Sequence, residues 1–439
     1  MRVLLCNPPA PRPTMRDYYC SSTSKAAYVW HPIDLLVQGA WLKDRHTLIW
    51  RDFAVTPATR EEAWEIVRRD RPDAILGLVG AAARDDFGFW RRAQEESGAS
   101  LFVSGDLARF APLDTLAKHD FVAGVVSDFT LPGVRDMLQG KATTPGLWCR
   151  NASAPEAPTG DFAYPPPPHD LVWALPYRHP FLPDGFATIM TDHGCVHRCR
   201  YCNSGAVGWR GRALDNLEAE LHLLARRRRR NLFIKDMTFN ADTKRTLAIL
   251  DLLARTGPWR FACYVRPDRV SDELAAALRR AGCVMAMVGL ESGDDNVLRS
   301  VRPGATVAAA SAGVRRLHAA KVPVGGHFLL GLPGESGAET DKTIAWACRL
   351  PLAYASFNLA APRPGTPLDG GDTGVADGSS PGTLLLADRL SRGELLAKRD
   401  AAVRAFYGRP GYLARRLAAA LRTGRLRREL RHGWFLWRG

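Results

Sequence analysis

Two trains of short apolar runs, each run followed by a stretch with helical spacing, fill most of this 439-residue chain. That alternation restricts it to parallel α/β architectures. In the first train, Arg2–Cys6, Thr47–Trp50, Ala74–Val79, Leu101–Val103 and Phe121–Val126 read as buried strands, with helices expected over Pro32–Lys43, Arg60–Arg69 and Asp85–Glu96. Five such strands with helical crossovers predict a doubly wound parallel sheet over residues 1–140, with a ligand crevice at the carboxyl ends of its strands. Residues 141–186 turn to Pro, Ala and Asp, including Pro165 to Pro168, and are expected to form a Pro-rich, partly polyproline-like linker. The second train runs through Ala187–Thr191, Leu232–Lys235, Arg260–Val265, Val284–Leu290, Gly325–Leu330 and Ala353–Leu359. Six βα units fall two short of a closed barrel, so residues 187–385 are predicted to form a partial (βα)6 TIM-type barrel with its chemistry at the strand carboxyl ends. Gly365 to Gly382 should be a loop, and residues 386–439 a basic α-helical C-terminal region.

Composition narrows the function. With 46% hydrophobic and 24% charged residues, neither a disordered chain nor a low-complexity scaffold is plausible. No apolar run reaches the roughly 18 residues that span a bilayer, and MRVLLCNPP lacks a signal-peptide pattern, so a cytoplasmic protein is expected. The nine cysteines are an odd number, and three of them fall within eight residues, which points away from a disulfide framework and toward a metal site. The net charge of +15 is concentrated at Arg226 to Arg230 and in the last 31 residues, where nine Arg accompany one acid, Glu429. Such a balance implies an anionic partner, whereas Arg226 to Arg230 close the first helix of the second train, where cations complement the C-terminal dipole and a solvated helix end is expected.

The three clustered cysteines, Cys195-Val-His-Arg-Cys199-Arg-Tyr-Cys202, have the spacing C-x3-C-x2-C and directly follow the first strand of the second train. Three thiolates in one loop can hold three corners of a 4Fe-4S cluster, leaving one iron open to an external ligand. The same spacing also permits a zinc site completed by His193 or His197.

With Tyr201 as the aromatic residue before the third cysteine, this motif resembles that of the radical S-adenosylmethionine (SAM) enzymes. The resemblance extends over the barrel through Arg210 and Arg212 in GWRGR, Asp236 in IKDMTF, Gly289-Leu-Glu291-Ser-Gly293, Gly331-Leu-Pro333-Gly334-Glu335 and Pro362 to Pro367. It implies that Cys195, Cys199 and Cys202 ligate the cluster, and that Tyr201, Arg210, Asp236, Arg266, Glu291, Ser292, Gly331 and Pro333 surround SAM. Each position has a structural alternative. Glu291 could be a satisfied strand-end carboxylate, Gly331 to Gly334 a simple turn, and Arg266 and Arg269 partners of neighbouring acids. Cys263, Cys283 and Cys348 lie in apolar periodic segments and read as small core residues.

A doubly wound domain ahead of such a barrel, with NPP after the first strand and HPIDLLVQGAWL as the first helix, resembles the cobalamin-dependent radical SAM class. By that resemblance Arg84, Ser104, Gly105, Asp106, Gly124 and Ser127 lie where cobalamin would bind. The Asp-x-His-x-x-Gly motif that supplies a lower histidine to cobalt is missing: Asp44-Arg-His46 lacks the glycine. Cobalt without a histidine below it is therefore implied, with Arg84 either at its lower face or simply solvated.

The resemblance implies methyl transfer to an unactivated carbon of a lipophilic or natural-product intermediate, with ferredoxin or flavodoxin as electron donor. The alternative within the class is a cyclase, oxidative or C-C bond-forming radical enzyme that transfers no methyl group. From outside the class, a non-catalytic zinc or membrane-adaptor protein remains open. In the tail, Leu413, Leu417 and Leu421 share one helical face amid Arg415, Arg416, Arg422, Arg425, Arg427 and Arg428, and the chain ends Trp434-Phe435-Leu436-Trp437 before its last two residues. That pattern fits either peripheral contact with an anionic membrane or a docked helix with a solvated basic face. No recognised nucleic-acid module accompanies the charge, so nucleic acid is not expected.

Overall fold

The computed structural model describes residues 1–16, 18–19, 22–23, 28–80, 82–141, 143–150, 154–368 and 386–423. The N-terminal sheet comprises β1 (Arg2–Asn7), β2 (Thr47–Asp52), β3 (Ala74–Leu78), β4 (Ser100–Ser104), β5 (Val122–Val126) and β6 (Leu147–Cys149), in the order β2-β1-β3-β4-β5-β6. The first five strands run parallel, as predicted, and β6 pairs antiparallel with β5. Continuous apolar runs are what two covered faces demand. In β1, Val3 and Leu5 face one core while Leu4 and Cys6 face the other, against the helices Arg60–Asp70 and Ala83–Ser97. Thr59 sets the start of the first of these helices through a reciprocal capping box with Glu62.

The second sheet is β7 (Ala187–Ile189), β8 (Asn231–Ile234), β9 (Arg260–Val265), β10 (Cys283–Glu291), β11 (Val324–Leu330) and β12 (Tyr354–Leu359), all parallel and in sequential order. It is the open six-stranded barrel that six βα units imply. Side-chain caps from Asp242, Ser271, Thr306, Ser336 and Ser391 begin the helices that cover its outer face. The helix Arg392–Tyr407 shields the exposed edge, with the Tyr407 hydroxyl donating to the Ala355 carbonyl at 2.6 Å and accepting from the Ala355 N–H at 3.1 Å. No helix among the described residues is long and apolar enough to cross a membrane.

Two expectations need revision. Residues expected as linker are core: β6 completes the first sheet, and Phe162, Tyr164, Val172, Tyr177, Leu182 and Phe186 join a single cluster containing Val3 and Leu5 of β1 and Phe233 and Met287 of the barrel. An open barrel leaves its concave face bare, and this segment covers part of it. The arginine run is not wholly solvated either. The Arg229 guanidinium lies 4.6 Å from the Trp173 ring and that of Arg230 5.2 Å from Trp259. Of the predicted loop Gly365 to Gly382, residues 369–385 lie outside the described residues, as do tail residues 424–439, including Trp434, Phe435 and Trp437.

Candidate functional site

The cysteine loop is a closed device. Asp192–His193 pairs antiparallel with Arg210–Gly211, so residues 194 to 209 leave and return at one point on the barrel rim. Gly194, at φ +78°, is required there because a Cβ would lie 1.6 Å from the Gly208 carbonyl oxygen. The Gly194 N–H donates to the Tyr19 hydroxyl at 2.9 Å, tying the loop to the N-terminal domain. Inside the loop, the Cys202 N–H donates to the Cys199 carbonyl at 3.1 Å, and Cys195 Sγ lies 3.5 Å from Thr238 Oγ1. All three thiols are half-buried. Burial pushes Cys195 up and Cys199 up to about 11, with the Arg302 and Arg266 guanidiniums drawing Cys199 down. A bound cationic group would displace those protons.

The donor set can be tested against the two metal readings. Zinc at about 2.3 Å from each sulfur draws its thiolates to within about 4 Å of one another, whereas a cubane spreads three cysteines over three separate irons. Among the described residues no three His, Cys, Asp or Glu side chains converge to hold a single ion. Of the two histidines that could complete a zinc site, His193 is buried among the rings of Tyr18, Tyr19, Phe129 and Phe162, facing the N-terminal domain. His197 lies within the loop itself and is held neutral, down to about 4, by burial and by Arg266, Arg269 and Arg302. Three thiols of one loop that do not converge on a single point fit the three protein-held corners of a cluster.

Beside the loop stands a connected polar group built on the strand ends. The β10 ladder slips between Gly289 and Glu291, and Glu291 takes φ +62°, a left-handed conformation that costs a non-glycine residue about 1 kcal/mol or more. Its side chain folds back over Gly289, where a Cβ would lie 2.4 Å from Oε1, and that oxygen accepts from the Tyr201 hydroxyl at 2.9 Å. Burial pushes the Glu291 carboxyl up, and Arg302 draws it back. Arg302 donates to the Gly289 carbonyl at 2.7 Å and to Asp268 at 3.3 Å, and Asp268 accepts from Arg266 Nε at 2.9 Å. The Arg266 backbone is clamped by Asn240, which accepts its N–H at 2.7 Å and donates to its carbonyl at 3.0 Å. Thus Tyr201, Arg266 and Glu291 come together with the cysteines. Arg302, Asp268 and Asn240 complete the group, and sequence reasoning missed them because no local motif marks them.

The fifth-strand turn joins the same rim. The Tyr201 ring packs on Val297, Val301, Leu332 and Ala360. Gly331, at φ +81°, and Leu332 both donate their N–H groups to Glu335 Oε2, at 2.6 and 3.1 Å, with Pro333 partly exposed between. Glu335, also unassigned from sequence, is pushed up to about 7 by burial.

Three expected SAM residues are engaged elsewhere. Ser292 is buried and accepts from the Asp294 N–H at 3.2 Å, shaping its own turn. Asp236 accepts from the Thr191 N–H at 2.7 Å, the Thr191 hydroxyl and the Asp192 N–H at 3.2 Å, so it holds the strand end that leads into the cysteine loop. Arg210 pairs with Asp128 and donates to Thr130 Oγ1 at 2.8 Å, both in the N-terminal domain. Its neighbour Arg212 is fully buried in an ion pair with Glu220.

The residues expected around cobalamin each have a neighbour within the N-terminal domain or lie on its surface. Ser104 donates to Asp34 at 2.8 Å, and Gly105, at φ +133°, rests on the Val79 carbonyl. Asp106 accepts from the Leu107 N–H at 2.9 Å. Gly124 lies under β6, the Ser127 carbonyl accepts from Tyr18, and Arg84 is exposed at a helix start. A different set marks the junction between the sheet and the cysteine loop. Arg109 Nη2 and both His193 ring nitrogens are buried there without a hydrogen-bond partner among the described residues, and the Tyr18 ring lies within 4.5 Å of the Arg109 guanidinium and 5.5 Å of the His193 ring. Orphaned polar atoms of that kind suit a large, amide-bearing ligand.

Comparisons with known proteins agree with this geometry. Residues 189–347 match the Radical SAM superfamily. An uncharacterized methyltransferase of Pyrococcus horikoshii is 23% identical over 356 residues, covering 77% of each chain. The bacteriochlorophyllide d C-12(1)-methyltransferase of Chlorobaculum tepidum is 26% identical over 208 residues, 46% of this chain and 45% of that one. The structure of the radical SAM methyltransferase TsrM from Kitasatospora setae, solved with cobalamin and a 4Fe-4S cluster, superposes with a TM-score of 0.63 at 19% identity, over 84% of this chain and 77% of its own. Residues 189–347 therefore match the radical SAM superfamily, and over 84% of its length the chain shares its fold with TsrM.

Proposed function

We propose that this chain is a cobalamin-dependent radical SAM methyltransferase acting on an unactivated carbon, with Cys195, Cys199 and Cys202 as the ligands of a 4Fe-4S cluster. The observation that carries the reading is the meeting, at one barrel rim, of three half-buried thiols with the Tyr201–Glu291 and Arg302–Asp268–Arg266 pairs. When bound, the cluster would supply an electron to SAM and cobalamin a methyl group to the substrate. The chain's own residues do the positioning. Glu291, steadied by Tyr201, offers an acceptor for the ribose hydroxyls, and Arg266 and Arg302 supply positive charge beside Cys199. Arg109 and His193 supply buried donors toward cobalamin. Replacing Cys195, Cys199 and Cys202 together with Ala should abolish iron binding and SAM cleavage, and a variant that retains about four irons per chain defeats the ligand assignment. Purification from a cobalamin-fed host should give a base-off spectrum, since no histidine motif is present. A chain that cleaves SAM yet stays free of cobalamin favours the non-methylating alternative.

The substrate is a small molecule of lipophilic character, delivered at an anionic membrane surface. Leu413, Leu417 and Leu421 stand 55%, 53% and 64% exposed on the helix Pro410–Thr423, with Arg415 exposed beside them. Each basic residue near a charged leaflet contributes about 1 kcal/mol. The Chlorobaculum relative, named for a chlorophyll-type substrate, supports the same class. Sedimentation with anionic liposomes should distinguish the full chain from one ending at Gly408. Equal binding by both chains, or none by either, removes the tail from the reading.

A further inference from the structure

One carboxylate ties together the two strand ends on either side of the cysteine loop. Asp236, just past β8, accepts from the Thr191 and Asp192 N–H groups, which follow β7 and lead into the loop. A little further on the chain is clamped again. The Phe239 N–H donates to the Tyr264 carbonyl at 2.8 Å, and the Ala241 N–H to the Thr238 carbonyl at 3.0 Å. These attachments fix the Thr238 backbone relative to the start of the loop, and the branched Cβ restricts its side chain further. The hydroxyl so placed stands 3.5 Å from Cys195 Sγ, forty-three residues away in the sequence.

The three thiols differ in this respect. Cys195 Sγ also accepts from the His197 N–H at 3.5 Å, whereas among the described residues no hydrogen bond reaches the sulfur of Cys199 or Cys202. Thr238 is only 9% exposed, so water competes little for its hydroxyl. That hydroxyl has one proton and two acceptors in reach, Cys195 Sγ and the Met237 carbonyl, the latter at 2.9 Å. With Cys195 protonated, the groups form a chain in which the thiol donates to the hydroxyl and the hydroxyl to the carbonyl. A thiolate has no proton to give. Once Cys195 ligates a cluster, the hydroxyl is the only donor between the two side chains.

We propose that Thr238 is a positioning residue for the 4Fe-4S cluster: its hydroxyl turns from the Met237 carbonyl to donate to the Cys195 thiolate, which fixes that ligand and makes the cluster easier to reduce. The inference rests on the assignment of Cys195, Cys199 and Cys202 as cluster ligands, and adds to them a residue from outside their motif. The turn is favourable because a hydrogen bond to a charged acceptor is roughly twice as strong as one to a neutral carbonyl. Its effect on reduction follows from charge. Reduction adds one electron to the cluster and moves no proton, and the thiolates share the added negative charge. A donor at sulfur therefore stabilises the reduced form more than the oxidised one, as hydrogen bonds to cluster sulfurs do in general.

The test uses Thr238→Val, which replaces the hydroxyl with a methyl group of similar shape, and Thr238→Ser, which keeps the hydroxyl. Each full chain is reconstituted with iron and sulfide and titrated with dithionite as the one-electron donor, without SAM, while electron paramagnetic resonance counts the reduced cluster. Thr238→Val should disfavour reduction about tenfold, a shift of about 59 mV to more negative potential for one electron. Thr238→Ser should restore most of it. Iron at about four per chain and unchanged circular dichroism establish equal loading and folding. Loss of iron from Thr238→Val with retention in Thr238→Ser supports the same role, because only the hydroxyl separates the two. Equal potentials for wild type and Thr238→Val, a Ser variant that behaves like the Val variant, or loss of iron from both overturns the proposal. A wild-type chain that takes up no cluster defeats the ligand assignment and the proposal with it, whereas a loaded wild type beside an unshifted Val variant defeats the role of Thr238 alone.

Discussion

Replacing Glu335 with Gln isolates a single buried charge beside the SAM rim. The Glu335 side chain is fully enclosed, its Oε2 accepts the N–H groups of Gly331 and Leu332, and its Oε1 has no hydrogen-bond partner among the described residues. Burial raises its carboxyl from 4.5 to about 7, against the pull of the two N–H groups and with Glu339 adding to the rise. A folded-state value above the unfolded one means that the charged form is disfavoured in the fold. The penalty is therefore absent below about pH 4.5, grows as pH rises, and is complete above about 7. At 1.36 kcal/mol per pH unit, the displacement corresponds to about 3 kcal/mol. Gln keeps an oxygen for both N–H groups and cannot ionise. Relative to wild type, Glu335→Gln should thus gain about 2.5 kcal/mol between pH 5, where the penalty has begun, and pH 8.5, read as the difference in urea midpoints with the slopes unchanged. His193, His197 and His327 titrate alike in both proteins and cancel from that difference. A variant-minus-wild-type difference that stays constant with pH, or that grows on acidification, would refute the reasoning.

Other outcomes follow from the same geometry. Gly289→Ala should push the Glu291 carboxylate off Tyr201, because the clash is with the mobile end of a side chain. SAM affinity by equilibrium dialysis should fall about tenfold, with circular dichroism unchanged. Tyr201→Phe removes one hydrogen bond to a carboxylate and should cost about 2 kcal/mol in denaturant unfolding, with weaker SAM retention. Arg212→Met leaves Glu220 buried with only His169 beside it, and should cost about 3 to 5 kcal/mol. Because that figure reflects an uncompensated charge, Arg212→Met with Glu220→Leu should recover much of the loss in the same measurement.

What could be read from the sequence divides by range. Strand positions were legible because parallel strands covered on both faces must be apolar throughout, and the cysteine loop because its three ligands lie within eight residues. Glu291 and Tyr201 were legible one at a time, from strand-end and motif positions, but their hydrogen bond spans ninety residues and no periodicity encodes it. Arg210 went the other way for the same reason. Its nearest acids in the sequence gave no hint of Asp128, eighty-two residues earlier, which recruits it to the N-terminal domain. The segment 154–186 read as linker because its prolines hide the spacing of Phe162, Tyr164, Tyr177 and Phe186, whose burial depends on the bare face that a six-unit barrel leaves open.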